Sequence, residues 1–245
     1  MGSAHLQESC HSAGATLVDT AYATLENLLV TGALPPLSLF TEVELSHRVG
    51  IGRTPVREAL QRLEREGLVR AIPYRGIQVT GEHVAAQLEW LEVRLPMEKL
   101  IAVSAARRAS AAERQRMLQL ARHIVESADA GDGATFMRLD RELHGQLIQS
   151  TRNSALADIM QLKQGINRRF WYLHARLLVD LPRCARLHAD LLRAVANGDE
   201  SAAEQAAGLL VDDCRDTCRQ VAANGIPTDG KSPAKNRRTV VRKRV

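Results

Sequence analysis

Apolar residues return along this chain in two rhythms, one short and broken, one long. From Thr16 to Val30, Leu17, Val18, Ala21, Leu25, Leu28 and Leu29 recur at intervals that line one face of a helix. Thr16 stands where a cap is expected and Gly32 where the helix should stop. Leu34-Pro35-Pro36-Leu37 then predicts an extended link, because proline disfavours helix in the residue before it. Thr41 followed by Glu44 is a capping box that opens a short helix to about Arg48. Gly50 and Gly52 flank Ile51 in a turn, and a second helix starts at Arg53 or Thr54 and runs to Glu66. Pro55 falls in its first turn, where a missing N–H costs nothing, and Val56, Ala59, Leu60 and Leu63 face inward. Gly67 suits the residue just past its end. Leu68–Ile72 and Gly76–Val79 read as strands around Pro73-Tyr74-Arg75, a two-stranded ribbon with a basic tip.

From Glu82 to about Ala223 the rhythm lengthens. Helices are expected over 82–108, 111–129, 132–150, 154–180, 183–197 and 199–222. They are separated by Ser110, Gly131-Asp132-Gly133, Asn153, Pro182 and Asn197-Gly198-Asp199. Long segments with short connections predict an antiparallel helical bundle, and no internal repeat at a fixed period is present. The fold class expected is therefore mainly α: an N-terminal winged helix-turn-helix followed by an antiparallel all-α helical bundle. Four segments follow: a disordered N-terminus (1–15), a winged unit (16–81), a helical domain (82–223) and a basic disordered tail (224–245).

Composition adds limits. Of the 245 residues 45% are hydrophobic but only 3% aromatic, so the cores must be built from Leu, Ala, Val and Ile, which favours helices. No apolar run approaches the roughly 18 residues of a membrane span, and the N-terminus lacks the basic start and apolar block of a secretory signal. The cysteines Cys10, Cys184, Cys214 and Cys218 include no CxxC pair; Cys214 and Cys218, four apart, read as ordinary thiols, and a reducing cytoplasm is expected. Charge is uneven. Residues 225–245 carry seven basic residues against Asp229, so the remainder of the chain accounts for −1 of the net +5. Affinity for nucleic acid must then come from local patches.

One such patch opens the second short helix. Arg53 and Arg57, four apart, share a face; arginine suits bidentate contact with guanine in the major groove, and Thr54 suits phosphate. Arg75 and Gly76 at the ribbon tip fit a wing that approaches DNA closely. Arg62 and Arg65, opposite Glu58, Glu64 and Glu66, read as a solvated charged face. Charge alone does not decide between these readings. The run GRTPVREALQRLEREGLV, with TEVELSHRVG before it and YRGIQV after it, resembles the GntR family of bacterial transcription regulators. That resemblance implies DNA contacts at Arg53, Thr54, Pro55, Arg57 and Gly76, with Arg75. Gly52 stands where the family usually has Ser or Thr, and Val43 where it often has a polar or basic residue, departures that bear on the operator sequence.

The helical half resembles the FCD effector domain of the FadR-type subfamily, through Glu92-Val93-Arg94 with Glu98, Leu139 to His144, Asn153 to Leu156, and His188 followed by Asn197-Gly198-Asp199. Asp140 and His144, at i and i+4, share a helix face and can ligate one metal, and His188 on a later helix could supply a third ligand. The resemblance implies a divalent metal, zinc or similar, with a further His on the last helix. Here that position falls near Leu210, which leaves Asp212, Asp213 or water as substitutes, or an empty site. Arg94 suits a carboxylate-bearing effector, its alternative being a surface ion pair with Glu98. His174 lines the pocket or belongs to an aromatic core cluster. The expected function is a ligand-responsive, sequence-specific regulator: a homodimeric repressor of a metabolic operon that binds a palindromic operator and senses a small carboxylate, with no enzymatic activity and no membrane association. The rivals are a metal-dependent hydrolase using Asp140, His144 and His188, and a non-specific nucleic-acid binder driven by the tail.

Overall fold

A computed structural model describes residues 16–81, 84–174 and 180–224. The readings of 1–15 and 224–245 as disordered lie outside these residues, save for Asn224, which closes the last helix.

Helix α1 (Leu17–Val30) begins at a full capping box, with Thr16 accepting from the Asp19 amide and Asp19 answering the Thr16 amide. Strand β1 (Leu39–Phe40), α2 (Glu42–Val49), α3 (Arg53–Arg65), β2 (Val69–Ile72) and β3 (Gly76–Val79) follow. The expected box at Thr41 and Glu44 caps α2, and Gly50 ends it in the left-handed conformation. The inward face of α3 is Val56, Ala59, Leu60 and Leu63, all buried with Leu25, Leu29, Leu45 and Val79 in one apolar core.

The ribbon has three strands where two were expected. β1 pairs antiparallel with β3, Leu39 opposite Gln78 and Phe40 opposite Ile77, and β2 flanks β3 on the other side. The link before β1 is not simply extended either, since it turns at Leu37 with φ of 64°. The third strand explains Gly76. Its φ is 112°, and a Cβ there would lie 2.4 Å from the Phe40 carbonyl oxygen. Glycine is thus required by the approach of the chain's own strand.

The helical half comprises α4 (Val84–Arg108), α5 (Ala111–Asp129), α6 (Gly133–Ser150), α7 (Ser154–His174), α8 (Leu181–Asn197) and α9 (Glu200–Ala223). Helix α4 is central. It packs along α9 and also meets α6, α7 and α8, while α5 lies against α6 and α8. Pro182, expected as a break, instead sits in the first turn of α8 behind the Asp180 cap. The predicted run 154–180 is helical to His174, and 175–179 lie outside the described residues. Ile101, Met117, Leu120, Leu143, Leu192 and Leu210 anchor the bundle core. Cys218 is buried with Leu91, Phe170 and Val211, with Cys214 packed alongside, as thiols filling apolar space would be. Arg114 closes two helix ends at once: its guanidinium donates to the carbonyls of Ala106 in the last turn of α4 and Ala109 just after it, and to those of Val195 and Ala196 in α8.

Helix α5 starts at a third capping box, Ser110 with Glu113, and Arg152 reaches the same carboxylate at 2.7 Å. The Ser110 amide holds the Glu113 carboxyl down at about 2; burial opposes it, and Arg152 and the Ser110 hydroxyl reinforce it. The folded value lies below the unfolded one, so this contribution is complete above the unfolded pKa of about 4.3 and is lost as pH falls toward 2. Glu113→Gln is expected to remove about 1 kcal/mol at neutral pH and much less near pH 3, read by urea unfolding at both. An equal loss at the two pH values would show that the carboxylate does not carry the effect.

Candidate functional site

The exposed face of α3 presents Arg53, Thr54 and Arg57, with Pro55 half-buried between them. Gly52 is the N-cap and offers no side chain to the first amides of α3, so among the described residues those donors have no side-chain cap. Arg57 is not simply solvated: its Nε and Nη2 fork onto the Glu42 carboxylate of α2 at 3.0 and 2.8 Å. Arg75 is exposed at the ribbon tip beside Tyr74, a fully exposed aromatic at φ of 62°. Arg62 and Glu66 depart from the solvated face expected for them. Glu66 is buried and accepts from the Tyr22 hydroxyl at 2.7 Å; Arg62 lies over the Tyr22 ring at 3.8 Å and pairs with Glu66.

In the bundle, α4, α6 and α7 line a small cleft that is partly open to solvent. Asp140 and His144 lie one turn apart on α6, and α8 brings His188 to them. Asp140 Oδ1 is 3.0 Å from His188 Nε2 and 3.6 Å from His144 Nε2, and one donor atom from each residue lies within 4.8 Å of the others. Asp212 and Asp213 do not join this group: Asp212, exposed on α9, pairs with Arg215, and Asp213 pairs with Arg183 of α8. His188 Nδ1 lies 2.8 Å from the Cys184 carbonyl, which makes Nδ1 the N–H donor and aims Nε2 at Asp140. His144 Nδ1 faces Glu98 Oε1 at 4.0 Å, beyond a hydrogen bond.

Arg94 is buried rather than on the surface, and its Nε and Nη2 both reach Glu98 Oε1 at 2.8 Å. It lines the cleft together with Trp90, Arg141, Lys163 and Arg168. His174 is buried against Phe170, ring centroids 5.0 Å apart, and is not among the lining residues. It sits seven residues beyond Asn167, the same stripe of α7 but two turns farther along.

Burial alone would raise the Asp140 carboxyl; His144 and His188 outweigh it and lower it. Burial likewise depresses His144, against Asp140 and Glu98, leaving a neutral ring. For His188, burial is overcome by the Cys184 sulfur and by Asp140, and its pKa is raised. One neutral and one proton-holding imidazole thus face one carboxylate.

The FCD domain pattern matches residues 89–213, just over half of the chain, and the pattern of bacterial regulatory proteins of the gntR family matches residues 17–79. The chain belongs to the gntR family. The HTH-type transcriptional repressor RspR of Escherichia coli is 26% identical to this gntR-family chain over 205 residues, covering 82% of this chain and 88% of RspR. An HTH-type regulator from Agrobacterium vitis is 37% identical over 91 residues, covering 37% of this chain and 52% of that protein. The HTH-type regulator YdhC of Bacillus subtilis is 26% identical over 144 residues, covering 57% and 63%. The matches thus span between half and two thirds of the length of these last two relatives. Among solved structures, E. coli McbR/YncC aligns with a TM-score of 0.71 at 18% identity, over 84% of this chain and 99% of that one. A GntR protein from Rhodococcus sp. RHA1 aligns at 0.61 and 18%, over 84% and 97%. Both likenesses concern the fold. The family and the names of the relatives are those of regulators, not of enzymes, which sets the hydrolase reading aside.

Proposed function

We propose that this chain is a ligand-responsive, sequence-specific DNA-binding repressor of the FadR-type subfamily. In this reading residues 16–81 grip a palindromic operator and residues 82–223 sense a small carboxylate. The observation that carries it is the division of α3: Val56, Ala59, Leu60 and Leu63 are buried, while Arg53, Thr54 and Arg57 stand exposed at the uncapped N-terminal end. RspR, named a repressor, supports the same sign of action. A homodimer would mirror the operator's symmetry, and α4 and α9 leave Val93, Leu100 and Leu209 exposed for a second copy. No helix among the described residues is long and apolar enough to cross a membrane.

Asp140, His144 and His188 fit a divalent ion such as zinc: two nitrogens and an oxygen converge, and the Cys184 carbonyl orients His188 as second-layer acceptors orient metal-bound histidines. The ion would supply a positive charge that attracts an effector's carboxylate, with Arg94 a buried cation beside it.

Anisotropy titrations with the chain's own upstream DNA across a salt series test the reading. Arg53→Ala is expected to lose about 1–3 kcal/mol of discrimination between operator and scrambled DNA. Deleting residues 225–245 is expected to weaken both only modestly. Equal affinity for operator and scrambled DNA at every salt concentration would overturn the proposal, and loss of all binding on deletion would assign it to the tail.

A further inference from the structure

The cleft has a basic wall that the metal-side residues do not account for. Arg94 is paired with Glu98, but Arg141 and Arg168 also line it, and the carboxylate that meets them comes from outside the bundle. It is Glu26 of α1, in the winged unit. Its Oε2 lies 3.2 Å from Arg141 Nη2 and its Oε1 touches Arg168 Nη2, with the Glu26 side chain almost wholly buried. A carboxylate buried in this way is stable only while its cations stay.

Three further observations give this triad meaning. First, it continues to the DNA-reading helix. The Tyr22 hydroxyl sits 3.4 Å from Glu26 Oε1 and donates to Glu66 at 2.7 Å, and Arg62, in the last turn of α3, pairs with Glu66 and covers the Tyr22 ring. Second, the contact is tightly fitted. A Cβ on Gly165 of α7 would come within 2.5 Å of Leu68 Cδ1 and 3.5 Å of Glu26 Oε1, so glycine admits the winged unit to the bundle. Third, the cleft holds unsatisfied donors. Trp90 Nε1 and Arg168 Nε are buried N–H groups without a hydrogen-bond partner among the described residues, and both side chains line the cleft. An incoming oxyanion would satisfy such donors.

We propose that Arg141 and Arg168 form a second anion subsite of the effector cleft, held here by Glu26 as a surrogate ligand, and that an effector with two acidic groups displaces Glu26. One acid would sit on the Arg94 side and the other between Arg141 and Arg168. This rests on the reading of the cleft as a carboxylate pocket and adds what occupies its far end. The second acid and Glu26 exclude each other, so the effector binds the released state more tightly than the docked one, the differential affinity a switch requires. Release of Glu26 frees α1 and, through Tyr22, Glu66 and Arg62, the end of α3. An acid with one charge lacks the second group and leaves the triad closed.

Calorimetric titration of the full chain, with zinc present, separates the possibilities, using propionate and succinate as one-acid and two-acid probes. Propionate is expected to bind wild type and Glu26→Gln alike, whereas succinate binds Glu26→Gln about tenfold tighter than wild type. Arg168→Lys, which keeps the charge but loses the planar fork, is expected to weaken succinate about tenfold and leave propionate unchanged. In wild type, saturating succinate should accelerate amide exchange in α1, and propionate should not. Propionate binding with succinate affinity equal in wild type and Glu26→Gln overturns the second subsite while the pocket reading stands. Neither acid binding to any of the three proteins at tens of millimolar overturns the pocket reading and the subsite with it.

Discussion

Arg94→Met is expected to destabilise the fold by about 3–5 kcal/mol near neutral pH, more than any other single change considered. Glu98 is 2% exposed, and the two nitrogens of Arg94 at 2.8 Å are its closest cationic partners. His144 is a weaker partner, because its Nδ1 is 4.0 Å away, beyond a hydrogen bond. Methionine fills the volume of the arginine stem but strands a buried carboxylate. The pH dependence follows from the sign of the shift. In wild type, burial would raise the Glu98 carboxyl, and Arg94 followed by His144 outweigh it, so the folded value is lowered. The pair's contribution is then full above the unfolded pKa and lost as pH falls through the folded one. In the variant burial is left less opposed and the folded value rises above the unfolded one, so the destabilisation is largest at high pH and fades as Glu98 protonates. Urea unfolding should show the gap narrowing between neutral pH and about pH 4.5, and Arg94→Met with Glu98→Leu should recover most of the loss. A single variant within about 1 kcal/mol of wild type would mean that the pair is replaceable.

What could be read in advance divides by the reach of the interactions. The inward residues of α3 and the boxes at Thr41–Glu44 were legible because they depend on neighbours three or four residues away. Strand β1 was not: two residues carry no alternation, and its partner β3 lies nearly forty residues later. Asp140 and His144 were found on one helix face by spacing, whereas His188 needed the family resemblance, since only the packing of α8 brings it to Oδ1 of Asp140. Arg94 and Glu98 were seen as a pair, but their spacing could not say that the pair is buried. Glu26 was invisible as a functional residue. It looks like an ordinary acid on an amphipathic helix, and its cations lie 115 and 142 residues away. The solvated-face reading of Arg62 failed for the same reason, because Tyr22 belongs to a different helix.

For the proposed metal site, zinc at about a hundred times its dissociation constant is expected to stabilise metal-free protein by about 2.7 kcal/mol. For a chain of this length that is an increase in Tm of about 5–10 °C. His188→Ala should abolish the shift, and Asp140→Asn should weaken it. The tautomer argues for His188 as a ligand: with Nδ1–H committed to the Cys184 carbonyl, Nε2 points at Asp140 Oδ1 from 3.0 Å. In the metal-free protein a proton on Nε2 bridges that gap, because the Cys184 sulfur and Asp140 overcome the effect of burial and raise the pKa of His188. The folded value is above the unfolded one, so this proton's contribution is present below about pH 6.5 and is lost as pH rises through the folded value. A metal must expel the same proton, while His144, held neutral by burial, has none to lose. Zinc stabilisation should therefore shrink as pH falls, in the direction opposite to the proton's own contribution. Thermal unfolding of chelator-treated protein at two pH values, with and without zinc, measures both. An equal shift in wild type and His188→Ala would place the ion elsewhere and leave Asp140 and His188 as a buried, charge-assisted hydrogen bond.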